Sequence, residues 1–104
     1  MFDINSSITE IEGYFEDGKR IFKNYKQDLK TKRAVERNLE IIGEAVKRIL
    51  AKDKKIALTN ARKIIDTRNR ISHGYDAVSD DMIWGIIINH LPKLKIEVEA
   101  LLKN

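Results

Sequence analysis

The sequence predicts an all-α protein. No stretch alternates apolar and polar residues with period two for long enough to make a sheet strand. Apolar residues recur instead at separations of three and four along most of the chain. With 104 residues, one proline, five glycines and no low-complexity segment, the chain reads as one domain, residues 1–104, large enough for a single core.

The first helix is expected over residues 4–25, with Ile4, Ile8, Ile11, Phe15, Phe22 and Tyr25 on its apolar side. Ser7 and Glu10 have capping-box spacing, which would put the ordered start at Ser7. Gly13 and Gly18 weaken this helix locally. The second helix, residues 29–51, has the clearest pattern. Val35, Leu39, Ile42, Val46 and Ile49 step by 4, 3, 4 and 3. Arg37, Glu40, Glu44 and Arg48 form a second, charged stripe on it. That stripe has two readings: a salt-bridged solvated face, or a set of side chains that orients arginines elsewhere.

Lys52, Asp53, Lys54 and Lys55 make a polar break, after which Thr59 or Asn60 is expected to cap a third helix. Gly74 is a natural stop for that helix, and residues 75–78 form a short connection. Ser79 is placed to cap a fourth helix, with Asp80 and Asp81 in its first turn where the dipole favours acids. Ile83, Trp84, Ile86, Ile87, Ile88 and Leu91 cover more than one face of it. The surplus face needs a partner, most simply a second copy of the chain. Pro92 is expected to kink or restart the helix, and Leu94, Val98 and Leu101 carry an apolar stripe onward.

There is no cysteine, so disulfides and thiolate metal sites are excluded. His73 and His90 are the two histidines and have no metal-ligand spacing; His90 is expected on or near the surface. No signal peptide is visible, and the longest apolar run, residues 82–88, is too short to span a bilayer. These features predict a soluble cytoplasmic protein. The net charge of +4 is unevenly distributed. Residues 1–18 hold five acids and no Lys or Arg, residues 19–63 hold fifteen Lys and Arg against five acids, and residues 64–104 hold five against six. The basic middle is either a patch for a polyanion or the solvated side of amphipathic helices.

The densest concentration of chemistry is Arg68-Asn69-Arg70-Ile71-Ser72-His73-Gly74-Tyr75. Arginine offers phosphate a planar fork that stays charged. Histidine titrates near neutrality and so moves protons. At ~100° per residue, Asn69 and His73 share a helix face, Arg70 lies ~60° from His73, and Arg68 is rotated ~140° from it. A straight helix does not aim Arg68 and His73 at one point. Either the helix end is distorted, or two copies of the motif meet across a dimer axis. The second arrangement is the one expected.

The same eight residues match the R-x4-H-x-Y signature of the HepT-like HEPN proteins, and the chain resembles that family elsewhere too. Arg37-Asn38-Leu39-Glu40-Ile41-Ile42-Gly43-Glu44-Ala45 is similar to the family's second-helix consensus, and residues 81–94, with Trp84 and Leu91-Pro92, to its last helix. The resemblance implies a compact antiparallel bundle of four to five helices that dimerises with its motifs facing one another. It implies a metal-independent endoribonuclease without cofactors, acting as the toxin of a toxin–antitoxin pair. The implied partner is a small nucleotidyltransferase-fold antitoxin, which in some pairs adenylylates the motif tyrosine. Carried over, Arg68 and His73 are catalytic, Asn69 supporting and Tyr75 the modified residue. Beside the resemblance, Arg70 is read as a further supporting residue, and Arg37 and Glu44 of the charged stripe are the candidates for orienting the motif. Ser72 stands where family members often have an aliphatic residue, and the Pro-Trp pair many carry before the third helix is missing.

A consistent chemistry follows. Without a metal, the RNA 2′-hydroxyl is the nucleophile and its proton passes to a base. Arg68 and Arg70 nearby favour neutral His73, which can accept it. The arginines hold the phosphate as charge builds on its oxygens. Two other readings stay open: a dimer that binds a nucleotide or RNA without cutting, and a scaffold whose task is to hold the nucleotidyltransferase.

Overall fold

The computed structural model describes residues 2–15, 22–53, 55–56, 58, 61–72 and 79–102. Among them every regular element is helical. Helix α1 spans Phe2–Gly13, α2 Phe22–Gln27, α3 Leu29–Lys52 and α4 Ala61–Ser72. A last rod runs from α5 (Asp80–Gly85) through a π-helical turn (Ile86–His90) into α6 (Leu91–Leu102). The radius of gyration is 13.3 Å, about the ~13 Å of a compact chain of this length.

Helix α3 is central: α1 and α4 pack against it, and α2 lies at its start. Asp28 fixes where α3 begins, because its carboxylate accepts from the Thr31 N–H (3.1 Å) and from the Thr31 hydroxyl (2.6 Å). These bonds hold the Asp28 carboxyl below its ordinary range. The buried Val35, Leu39, Ile42 and Val46 make the seam that the 4-3-4 spacing predicts. Asn38 is buried beside them and stays satisfied by donating to the Tyr14 hydroxyl (2.9 Å) and the Ala34 carbonyl (3.2 Å). Asp53 closes the helix, its N–H donating to the Ile49 carbonyl (2.9 Å).

Two expectations change. The first helix does not run unbroken over residues 4–25: α1 ends at Gly13, Tyr14 and Phe15 turn, and α2 is separate. The turn brings Phe15 into an aromatic cluster with Tyr25 and Trp84, which Phe22 also joins. Ser7 does not start α1 but is buried inside it, five residues after Phe2. The caps expected at Thr59 or Asn60 and the stop at Gly74 lie outside the described residues.

The last rod begins as predicted: the Ser79 hydroxyl accepts from the Met82 N–H (3.1 Å), and Asp80 and Asp81 occupy the first turn. Asp80 also pairs with Lys32 (3.1 Å), tying the start of this rod to the start of α3. The rod does not stop at Pro92. It widens into the π turn just before it, where the Leu91 N–H reaches back to the Ile86 carbonyl. One extra residue in a turn rotates the following faces by ~100°. Ile83, Ile86, Ile87, Leu91, Leu94 and Val98 are thereby all buried within one chain, and Trp84 finds its partners in the aromatic cluster. Much of the apolar surplus is absorbed internally; Ile88 and Ile96 are the large apolar side chains left exposed on the rod among the described residues. Lys95 joins α6 to α1 through Glu12 (2.6 Å).

Candidate functional site

Helix α4 meets α3 through Ala61, Ile64 and Thr67, all buried. Arg68 follows Ile64 by one turn and so falls on the same inward stripe, where an apolar residue would be usual. Gly43 makes room for it. A Cβ built on Gly43 would lie 2.3 Å from Arg68 Cβ, 2.7 Å from its Cγ and 3.4 Å from the Ile64 carbonyl oxygen. The aliphatic stem of Arg68 therefore lies directly across the backbone of α3, with its guanidinium carried toward solvent.

Two bonds fix that guanidinium. Nη2 donates to Glu44 Oε2 at 2.6 Å, and Nη1 to Asn69 Oδ1 at 2.9 Å. The Arg68 and Glu44 side chains are 25% and 44% exposed, so this ion pair adds little to stability and acts chiefly on orientation. Glu44 thus pairs across the helix interface. The charged stripe on α3 is not a ladder of its own ion pairs: among the described residues neither Arg37 nor Arg48 pairs with Glu40 or Glu44.

The stripe and Arg68 together wall an open groove of about 340 Å³, lined by Arg37, Glu40, Ile41, Glu44, Arg48 and Arg68. Arg48 also borders a neighbouring hollow of about 230 Å³ with Asp3, Ala45, Ile49 and Lys52. The fold thus brings together Arg37, Glu44, Arg68 and Asn69 of the residues singled out in the sequence. It does not bring Arg70 to the groove: Arg70 is exposed, ~200° around α4 from Arg68. His73 and Tyr75 lie outside the described residues. The other histidine, His90, is half-buried in the π turn. Burial, then Lys63 and Lys93, hold its pKa below the ordinary value.

Sequence reading missed the part played by Gly43, although a glycine in the middle of a 24-residue helix is a signal of close approach. It places Arg48 and Glu40 on the charged stripe without singling them out, and both line the groove. Among the described residues no three His, Asp or Glu side chains gather as a metal-binding group, and no helix is long and apolar enough to cross a membrane.

Chemically, the groove offers anchored guanidinium to an anion, with two further arginines on the same wall. Comparison with known proteins gives this arrangement a context. A family model described as "Ribonuclease HepT-like" matches residues 4–101. The chain is 32% identical over 106 residues to "Putative RNase MJ0127" of Methanocaldococcus jannaschii, covering 100% of this chain and 85% of that protein. It is 33% identical over 102 residues to "Probable ribonuclease HepT" of Thermococcus cleftensis, covering 97% and 91% respectively. No solved structure gives a significant match.

Proposed function

Because the chain belongs to the HepT-like ribonuclease family, we propose that it is a metal-independent endoribonuclease, working through Arg68 and His73 at a cleft shared by two copies of the chain. The observation that carries this reading is the anchored Arg68. An arginine stem laid over Gly43 and a guanidinium held by Glu44 and Asn69 present a fixed cation at a groove open to solvent. Such a group binds phosphate without first having to be ordered, and its charge is in place when the reaction needs it.

In the proposed reaction the 2′-hydroxyl attacks the adjacent phosphorus. Its proton passes to His73, the bond to the 5′-oxygen breaks, and that oxygen takes a proton from water as it leaves, the hydroxide then recovering the proton held by His73. The strand ends in a 2′,3′-cyclic phosphate. Arg68 holds the non-bridging oxygens through the change in charge. DNA has no 2′-hydroxyl and is not cut. In the cell the protein acts as the toxin of a toxin–antitoxin pair. A nucleotidyltransferase-fold antitoxin silences it by adding AMP to Tyr75, whose new charge occupies the arginines that otherwise hold RNA.

The test is expression of the wild type and of His73→Ala and Arg68→Ala without any partner, reading growth and RNA integrity together. The wild type is expected to arrest growth and leave cyclic-phosphate ends; neither variant should. Intact RNA in cells making folded wild-type protein would overturn the reading. Co-expression with the partner should add AMP to the wild type and not to Tyr75→Phe, as read by intact mass.

A further inference from the structure

We infer that the face of α3 beside Arg68 is a phosphate track for single-stranded RNA, in which Arg37 and Arg48 hold the phosphates on either side of the one held by Arg68. This rests on the ribonuclease reading and adds to it a substrate-binding site. Three observations carry it. The first is register. Arg37 and Arg48 are eleven residues apart on α3, which brings them to within ~20° of the same face and ~16 Å apart along the axis. Glu44, which holds the Arg68 guanidinium, falls between them on the same stripe, ~20° from Arg37 and ~40° from Arg48, and ~10 Å and ~6 Å from them along the axis. Three guanidinium groups therefore follow one another along one wall.

The second is availability. Arg68 is held by Glu44 and Asn69, whereas Arg37 and Arg48 are exposed and have no ion pair among the described residues. Glu44 is committed to Arg68 and Glu40 faces the same groove, so the wall carries three positive charges against two negative ones and retains a net attraction for an anionic strand. The third is shape. The groove has about 340 Å³ of open space along this stripe, and Ile41, 37% exposed, offers an apolar surface between the arginines against which a ribose or base can rest. Arg48 belongs also to the adjoining hollow, where it and Lys52 face the single acid Asp3, so that end of the track keeps a net positive charge.

The track is tested by binding, independently of cutting. The probe is a short 2′-O-methylated oligoribonucleotide, which cannot be cleaved through its 2′-oxygen. Affinity is followed by fluorescence anisotropy across a salt series for the wild type, the Arg37→Gln/Arg48→Gln pair and the Arg37→Lys/Arg48→Lys pair. Each phosphate contact on a single strand contributes a slope of about −0.7 in log affinity against log salt. Loss of two contacts should reduce the slope by about 1.4, so that between about 50 and 200 mM salt the wild type loses about sevenfold more affinity than the Gln pair. The Lys pair keeps the charge and should keep the slope. Equal slopes for the wild type and the Gln pair, both folded by circular dichroism, would overturn the track. Cleavage of unmodified RNA by the wild type is read in parallel. A wild type that cuts RNA while the slopes are equal removes the track alone, whereas a wild type that does not cut removes the ribonuclease reading whatever the slopes.

Discussion

Gly43→Ala asks most directly whether the α3–α4 contact sets the position of Arg68. The new Cβ would sit 2.3 Å from Arg68 Cβ, where ordinary carbon contacts are about 3.5–4.0 Å. Arg68 Cβ is fixed to its backbone and cannot rotate away, so α4 must retreat from α3 by about 1 Å or more. Overpacking of this kind costs about 1–3 kcal/mol. Replacing a mid-helix glycine returns about 0.8–1 kcal/mol of helix propensity. The net destabilisation is then about 1 kcal/mol, or a fall in Tm of roughly 4–8 °C for a chain of this size. Activity should suffer more, because an ångström of misplacement at a reacting group costs about 100-fold.

Gly85→Ala is the matched control. Gly85 is also helical, at φ −58 and ψ −41, but a Cβ there meets nothing among the described residues within 4 Å. It should raise stability by about 0.5–1 kcal/mol and leave RNA cleavage alone. Thermal melts and a cleavage time course on the two variants give the comparison. If Gly43→Ala melts as high as Gly85→Ala and cuts RNA at the wild-type rate, the close approach has no role in fixing Arg68.

Other side chains give further expectations. Glu44→Gln keeps the shape but loses the charge that orients Arg68; it should lower kcat/KM on RNA by about 10- to 100-fold with little change in Tm, since the pair is partly exposed. The Tyr25 hydroxyl is buried with no hydrogen-bond partner among the described residues, so Tyr25→Phe should stabilise the fold by about 1 kcal/mol in thermal melts. Burial, then Asp80 and Glu36, raise the pKa of Tyr25 well above its ordinary 10.0. The unfolded chain therefore ionises first. Wild-type stability linked to this group is intact below pH 10.0 and declines as pH rises above it toward the folded-state pKa. Denaturant titrations should show a smaller alkaline decline in Tyr25→Phe. Ser79→Ala removes the cap on α5 and should cost about 1 kcal/mol by the same titrations.

The parts of this fold that could be read from the sequence are those decided within a few turns of chain. The seam of α3 declares itself because Val35, Leu39, Ile42 and Val46 repeat at the period of the helix, and Ser79 because a cap needs only the next three residues. What escaped depended on distant partners. Nothing near Phe15 says that it must turn out of α1 to meet Trp84, which is far along the chain. The π turn escaped for a related reason: Pro92 signals a disturbance, but its form follows from burying both Ile86 and Ile87 against the rest of the bundle. At the site, the charged stripe of α3 was visible while its role stayed ambiguous. Glu44 has oppositely charged Arg48 one turn away on its own helix and Arg68 twenty-four residues along the chain; only the packing at Gly43 brings the second within reach.

That packing bears on how Arg68 and His73 would share one phosphate in the proposed reaction. Helix α4 is regular through Ser72, and its inward face, Ile64 and Arg68, is held against α3. Continued at the same pitch, the chain would turn position 73 about 140° away from Arg68. A proposed two-fold dimer resolves this by supplying Arg68 from one chain and His73 from its partner. Mixing subunits tests the idea. Arg68→Ala and His73→Ala homodimers are each expected to be inactive. In a shared site, a mixed dimer has one composite centre carrying both substitutions and one carrying neither. Random assembly from equal amounts makes about half the dimers mixed. With one intact centre in each, activity should recover to about a quarter of the wild-type value after denaturation and refolding together. A site contained in a single chain gives no recovery, because every chain in the mixture then lacks one of its two residues. Absence of RNA cleavage in the mixture, with mixed dimers verified by native mass spectrometry and wild type active in parallel, would refute the shared cleft.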